Sequence, residues 1–135
     1  MRLDVSCIRS ILLALESYLE FDENLIVQPV GFETLCSLPE MQAFSKETIL
    51  YSSQKLDEAG LISFEAFYAD NALYEAWYSD ISYEGHQFLE GIRSPVVFTK
   101  TKNVLSKVGS FSLSVVSDVA AKVIARAVNQ QLGIN

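Results

Sequence analysis

Ile81-Ser82-Tyr83-Glu84-Gly85-His86-Gln87-Phe88-Leu89 decides the fold once it is set beside Leu56-Asp57-Glu58-Ala59-Gly60-Leu61-Ile62. In the earlier block a helical run reaches Gly60, and glycine is the residue best suited to the left-handed conformation that ends a helix. Ile62, Phe64, Ala66 and Tyr68 then alternate along one strand face, while Ser63 and Glu65 take the other. Asp70-Asn71 is a turn signal, and Leu73–Ile81 reads as a returning strand carrying Tyr74, Trp77 and Tyr78. Ser82 is placed to cap a further helix that runs to Arg93 and breaks at Ser94-Pro95. Helix, glycine stop, hairpin and capped helix follow one another in the order of a winged-helix domain. The expected fold class is therefore α+β, winged-helix-like (winged helix-turn-helix), with a helical C-terminal extension.

Working outward, Ile8, Ile11, Leu12, Leu15 and Leu19 recur at helical spacing after Asp4, a good N-cap, which predicts a helix over 5–20. Phe21-Asp22-Glu23-Asn24 ends it. Leu25-Ile26-Val27-Gln28 is a short β-type run stopped by Pro29 and Gly31, and residues 32–44 show only a short helix around Thr34–Ser37. Ser45 caps the next helix, with Glu47 in its first turn and Ile49, Leu50, Ser53, Leu56 and Ala59 on its inner face. Pro95 suits the first turn of a later helix in which Val97, Val104, Leu105 and Val108 share a face before Gly109. The expected organisation is a winged-helix-like domain over 1–93 and a helical extension over 94–135, packing on the domain or on a partner.

Charge is distributed unevenly. Residues 1–92 carry 4 Lys/Arg against 16 Asp/Glu, whereas residues 93–135 carry 6 Lys/Arg against the single acid Asp118. A strongly acidic body is repelled by phosphate, so nucleic acid is possible as a partner but disfavoured by charge. Cys7 and Cys36 form no metal-type pair and are expected as buried thiols. An acid at position 4 argues against a signal peptide, and no run of about 18 uncharged apolar residues spans a membrane. A cytoplasmic location is expected.

The segment from about Ser112 to Leu132 carries only Asp118, Lys122 and Arg126 as charges, at i, i+4 spacing in one narrow stripe. Val116, Val119, Val123 and Val128 stand among the apolar remainder, an arc wider than one neighbouring helix covers. These four, with Trp77 of the hairpin, are the expected partner or homodimer interface.

Four blocks carry a resemblance to a known family: Leu3-Asp4…Ile8-Arg9…Ile11-Leu12, Leu56–Ile62, Ile81–Leu89, and Phe98-Thr99-Lys100-Thr101-Lys102. The chain resembles the bacterial domain-of-unknown-function family number 2513, common in prophages and other mobile genetic elements, whose members look like winged-helix proteins. Relatives usually carry Tyr-His where this chain has Tyr51-Ser52, and Trp where it has Tyr83. The resemblance implies a fold class and a mobile-element setting, and it brings no functional residues with it.

Chemistry is sparse. His86 is the lone histidine, with no nucleophile at a suitable spacing, and it is expected to be structural, closing a hydrogen bond, as are Gly60 and Gly85. The acids Asp57 and Glu58 are expected to face water. The scattered glycines form no phosphate loop. The chain is accordingly expected to be no enzyme, with no catalytic residue, cofactor, metal or small-molecule substrate, and to act through a protein partner or its own dimer. The alternative is a small DNA-binding regulator reading bases with the helix before the hairpin, through Lys46, Thr48, Tyr51, Ser52, Gln54 and Lys55. Against it stand Glu65, Asp70, Glu75 and Asp80 around the hairpin, with no Lys or Arg between Lys55 and Arg93.

Overall fold

The computed structural model describes residues 1–109 and 112–133. Helix α1 (Val5–Tyr18) starts where the Asp4 carboxylate accepts the Cys7 N–H at 3.0 Å, and Ile8, Ile11, Leu12 and Leu15 are fully buried along it. It stops before residue 20 because Glu20–Phe21 (β1) pairs antiparallel with Val27–Gln28 (β2). Asp22 builds the loop between them: one carboxylate oxygen accepts the N–H groups of Asn24 at 2.8 Å and Ile26 at 3.0 Å, and the other accepts Gln28 Nε2 at 2.9 Å. The run at Leu25–Gln28 was readable in the sequence, but its partner was not, since two-residue strands have no alternation to detect.

Next come β3 (Val30–Gly31), α2 (Phe32–Ser37), a 3-10 turn at Pro39–Met41, and α3 (Lys46–Glu58), whose cap Ser45 accepts the Thr48 N–H. The long hairpin of β4 (Ile62–Ala69) and β5 (Ala72–Ile81) turns at Asp70 and Asn71, whose φ values of 52° and 62° give the double left-handed geometry of a two-residue hairpin loop. The sheet order is β3-β5-β4, all antiparallel. Three helices follow: α4 (Tyr83–Ile92), α5 (Pro95–Val108) and α6 (Leu113–Gln131). The architecture is mixed α+β with a C-terminal helix.

The two sequence blocks that predicted this order meet in space. At the end of α3 the Gly60 N–H donates to the Asp57 carbonyl and the Leu61 N–H to the Leu56 carbonyl, both at 2.9 Å, with Gly60 at φ 76°. That is a Schellman stop, which satisfies carbonyls otherwise orphaned at the helix end. Ser82 then joins the hairpin's exit to this turn. Its hydroxyl donates to the Gly60 carbonyl at 2.5 Å and accepts the Gly85 N–H at 3.0 Å, while its own N–H donates to the Leu61 carbonyl at 3.0 Å. Gly85 lies so close to that same carbonyl that a Cβ there would overlap Leu61 O and press on Ile81 Cγ2. Asp57 does not simply face water as expected: its carboxylate accepts the Phe64 N–H at 3.2 Å, tying α3 to β4.

Behind the clasp, α3 is bolted to β5. Tyr78 is fully buried, and its hydroxyl lies 2.6 Å from that of Ser53, which also contacts the Ile49 carbonyl at 2.7 Å. Burial raises the Tyr78 phenol far above its ordinary pKa. The ring packs on Phe64 at 4.7 Å between centroids, and Phe64 in turn meets Phe32 at 6.4 Å. Cys7 is a buried free thiol, pushed up to about 11 chiefly by burial; Cys36 is half-buried and likewise pushed up to about 11. Raised values of this size make both poor nucleophiles at neutral pH.

The chain divides into two compact units, Met1–His86 and Gln87–Asn135, and the division falls inside α4. In the second unit α5 and α6 pack together. The buried positions of α5 are Phe98, Thr101 and Leu105, while Val104 and Val108 are exposed. Counting aliphatic side chains alone had put the inner face one step off, because Phe98 and Thr101 belong to it.

The clasp yields a stability test. Gly85→Ala places a methyl group against backbone that cannot move aside, and is expected to cost about 3 kcal/mol or more, in the range of severe overpacking. Gly60→Ala meets open space and suffers only the left-handed φ, about 1–2 kcal/mol. Urea melts of the two variants check the ranking; equal costs would show that the close approach at Gly85 is relaxed in solution.

Candidate functional site

The face of α3 predicted to read bases is occupied by internal pairings. Lys46 Nζ lies 2.6 Å from Glu33 Oε2 of α2, and Lys55 Nζ lies 2.7 Å from Glu58 Oε2. Hydrogen bonds that the ammonium groups donate to these carboxylates hold both above their ordinary pKa. Lys55 also sits 5.3 Å above the Tyr51 ring. Thr48 is engaged at the helix cap, its Oγ1 3.0 Å from Ser45 Oγ, and Gln54 makes a long 3.4 Å contact to the Tyr68 hydroxyl. Ser52 faces inward and is fully buried, so it cannot touch a ligand on this face. Its hydroxyl has the Cys7 thiol as a polar neighbour but makes no hydrogen bond of ordinary geometry.

The hairpin sorts its aromatics by pleat. Phe64 and Tyr78 enter the core; Phe67 stacks on half-buried Trp77 on the outer face, 5.0 Å between centroids and 17° between planes. Tyr68 and Tyr74 near the tip are exposed. Glu65, Asp70, Glu75 and Asp80 are all exposed too, so the hairpin presents aromatic and acidic surface.

Two concave features lie in the first unit. A groove of about 570 Å³ runs between Pro29–Thr34 and Leu73–Trp77, with Phe32, Tyr74 and Trp77 as its apolar walls and Glu33 and Glu75 as its acids. A smaller cavity of about 210 Å³ lies among Leu15, Leu19, Phe21, Asp80 and His86. His86 is exposed, and its ring makes no hydrogen bond among the described residues. Gly85 is buried, while the next residue, His86, points outward. The signal missed in the sequence was Glu33, whose pairing with Lys46 depends on the α2–α3 fold and has no local motif. Exposed Phe21, Leu25 and Ile26 on the β1–β2 hairpin were also missed as surface.

On α6 the expected interface residues part company. Val116 is fully buried within the chain and so is unavailable to a partner; Val119 and Val123 are half-buried, and Val128 is 49% exposed. Among the described residues no group of three or more His, Cys, Asp or Glu could hold a metal ion, and no helix is long and apolar enough to cross a membrane.

Residues 2–112 match the family of hypothetical proteins DUF2513. The chain belongs to that family. The match to DUF2513 ends at Ser112, the N-cap of α6, so both clasp blocks lie inside it and α6 lies beyond. No curated protein and no solved structure matches the chain.

The contrast between neighbouring serines is testable. Ser53→Ala strands the Tyr78 hydroxyl and is expected to lower stability by about 1–3 kcal/mol, whereas Ser52→Ala removes an unsatisfied hydroxyl and is expected to be neutral or stabilising. His86→Ala should stay within about 0.5 kcal/mol of wild type. Thermal melts of the three variants check this, and a Ser52→Ala loss as large as that of Ser53→Ala would contradict the placement of Ser52.

Proposed function

We propose that this chain is a non-enzymatic, winged-helix-like binding module that recognises another protein, in the prophage or mobile-element setting that its family resemblance implies. The observation that carries the reading is the pairing of Lys46 with Glu33 and of Lys55 with Glu58 on the face of α3. A DNA reader needs such cations unpaired to replace the counterions of phosphate. Here each is matched by a carboxylate, and the adjoining hairpin adds four acids and no base. Exposed Tyr68 and Tyr74, with Trp77 half-buried behind them, are residue types that anchor protein interfaces. Val119, Val123 and Val128 of α6 offer a second apolar contact, to a partner or to another copy. A small DNA-binding regulator is the other reading, favoured by the order helix–hairpin and opposed by charge.

Fluorescence anisotropy against a mixed-sequence duplex separates the two. At about 150 mM salt no binding is expected from wild type, while Glu33→Gln with Glu58→Gln, which frees both lysines, should bring weak binding with a measurable salt slope. Micromolar binding by wild type with a steep salt slope would reverse the proposal.

A further inference from the structure

We propose that the outer edge of β5 at Ala72–Ala76 is a docking strip for an extended segment of a partner protein that alternates aliphatic and basic residues. This deepens, and rests on, the protein-recognition reading. β5 is ten residues long, but on the side away from β4 it is paired only at Trp77 and Tyr78, by the two residues of β3. After Gly31 the chain leaves the sheet as α2, so no strand among the described residues pairs with that edge at 72–76. Backbone N–H and C=O groups on an open edge are a template for an added strand.

The surroundings specify what would add. The edge opens into the groove of about 570 Å³ bounded by Phe32, Glu33, Tyr74 and Trp77, where alternate side chains of an added strand would lodge. The strip reads Ala-Leu-Tyr-Glu-Ala at 72–76, without Lys or Pro; its one charge is Glu75, and the register against β4 shifts at Tyr74. Glu75 is exposed and has no ion-pair partner among the described residues, and Glu33 faces it across the groove. Edge-to-edge pairing with a second copy would bring both Glu75 side chains, and two acidic bodies, together. A nucleic acid meets the same repulsion. An extended chain bearing Lys or Arg between aliphatic residues satisfies the backbone, the apolar walls and the Glu75 carboxylate at once.

The test uses the whole protein and a displayed library of short random-sequence peptides. Enriched peptides should alternate aliphatic residues with Lys or Arg. Adding one synthesised enriched peptide should move amide resonances of Gly31–Thr34 and Ala72–Trp77. Tyr74 has no register partner in β4, so Tyr74→Pro removes an N–H of the strip without breaking a residue pair of the hairpin. That variant and Glu75→Lys should each weaken peptide binding by about tenfold or more, with unchanged melting. Should Tyr74→Pro fail to fold, Glu75→Lys and the resonance map decide alone. Enriched peptides that move α3 or α6 resonances, and bind Glu75→Lys as well as wild type, overturn strand addition but leave protein recognition standing. No enrichment overturns strand addition; tight duplex binding in addition overturns both.

Discussion

The Leu61 carbonyl is the point through which this fold is organised. It accepts the Ser82 N–H at the exit of the hairpin, and it excludes any side chain at Gly85 in the first turn of α4. Ser82 completes the junction by bonding the Gly60 carbonyl on one side and the Gly85 N–H on the other. Each neutral bond contributes only about 1 kcal/mol, but together they fix where α3 ends, how the hairpin returns and where α4 begins. Gly60 and Gly85 serve this junction in different ways: the first supplies a positive φ, the second supplies the absence of a Cβ.

From that junction the surface follows. Asp57 ties β4 to the last turn of α3, and the Ser53–Tyr78 contact ties β5 to its middle, so helix and hairpin are held together. The exposed lysines of the helix are matched by carboxylates, and the hairpin's charges are all acidic. Phosphate is therefore poorly served there, while the aromatic tip and the open edge of β5 offer apolar contact and backbone hydrogen bonds. The surface is defined less by any single side chain than by the charge balance the fold creates.

Much of this was legible in the sequence. Gly60, Ser82 and Pro95 act through local backbone chemistry, and alternation from Ile62 to Tyr68 needs no tertiary information, so the helix–hairpin–helix order could be read directly. Three kinds of feature could not. The β1–β2 hairpin is too short to show a period. Ser52 and Ser53 are adjacent and both buried, yet only the fold tells which one finds a partner. The pairing of Lys46 with Glu33 spans two helices and turns an apparent base-reading cation into a neutralised one. Within the same motif Gly85 does visible structural work, while His86 beside it is exposed.

Native-state hydrogen exchange on the free protein tests the central role of the junction most directly. The Leu61, Phe64 and Ser82 amides should exchange only through global unfolding, with the same free energy as Ile11 and Leu12 in α1. Exchange of these three by a low-energy local opening, while α1 stays protected, would contradict the account.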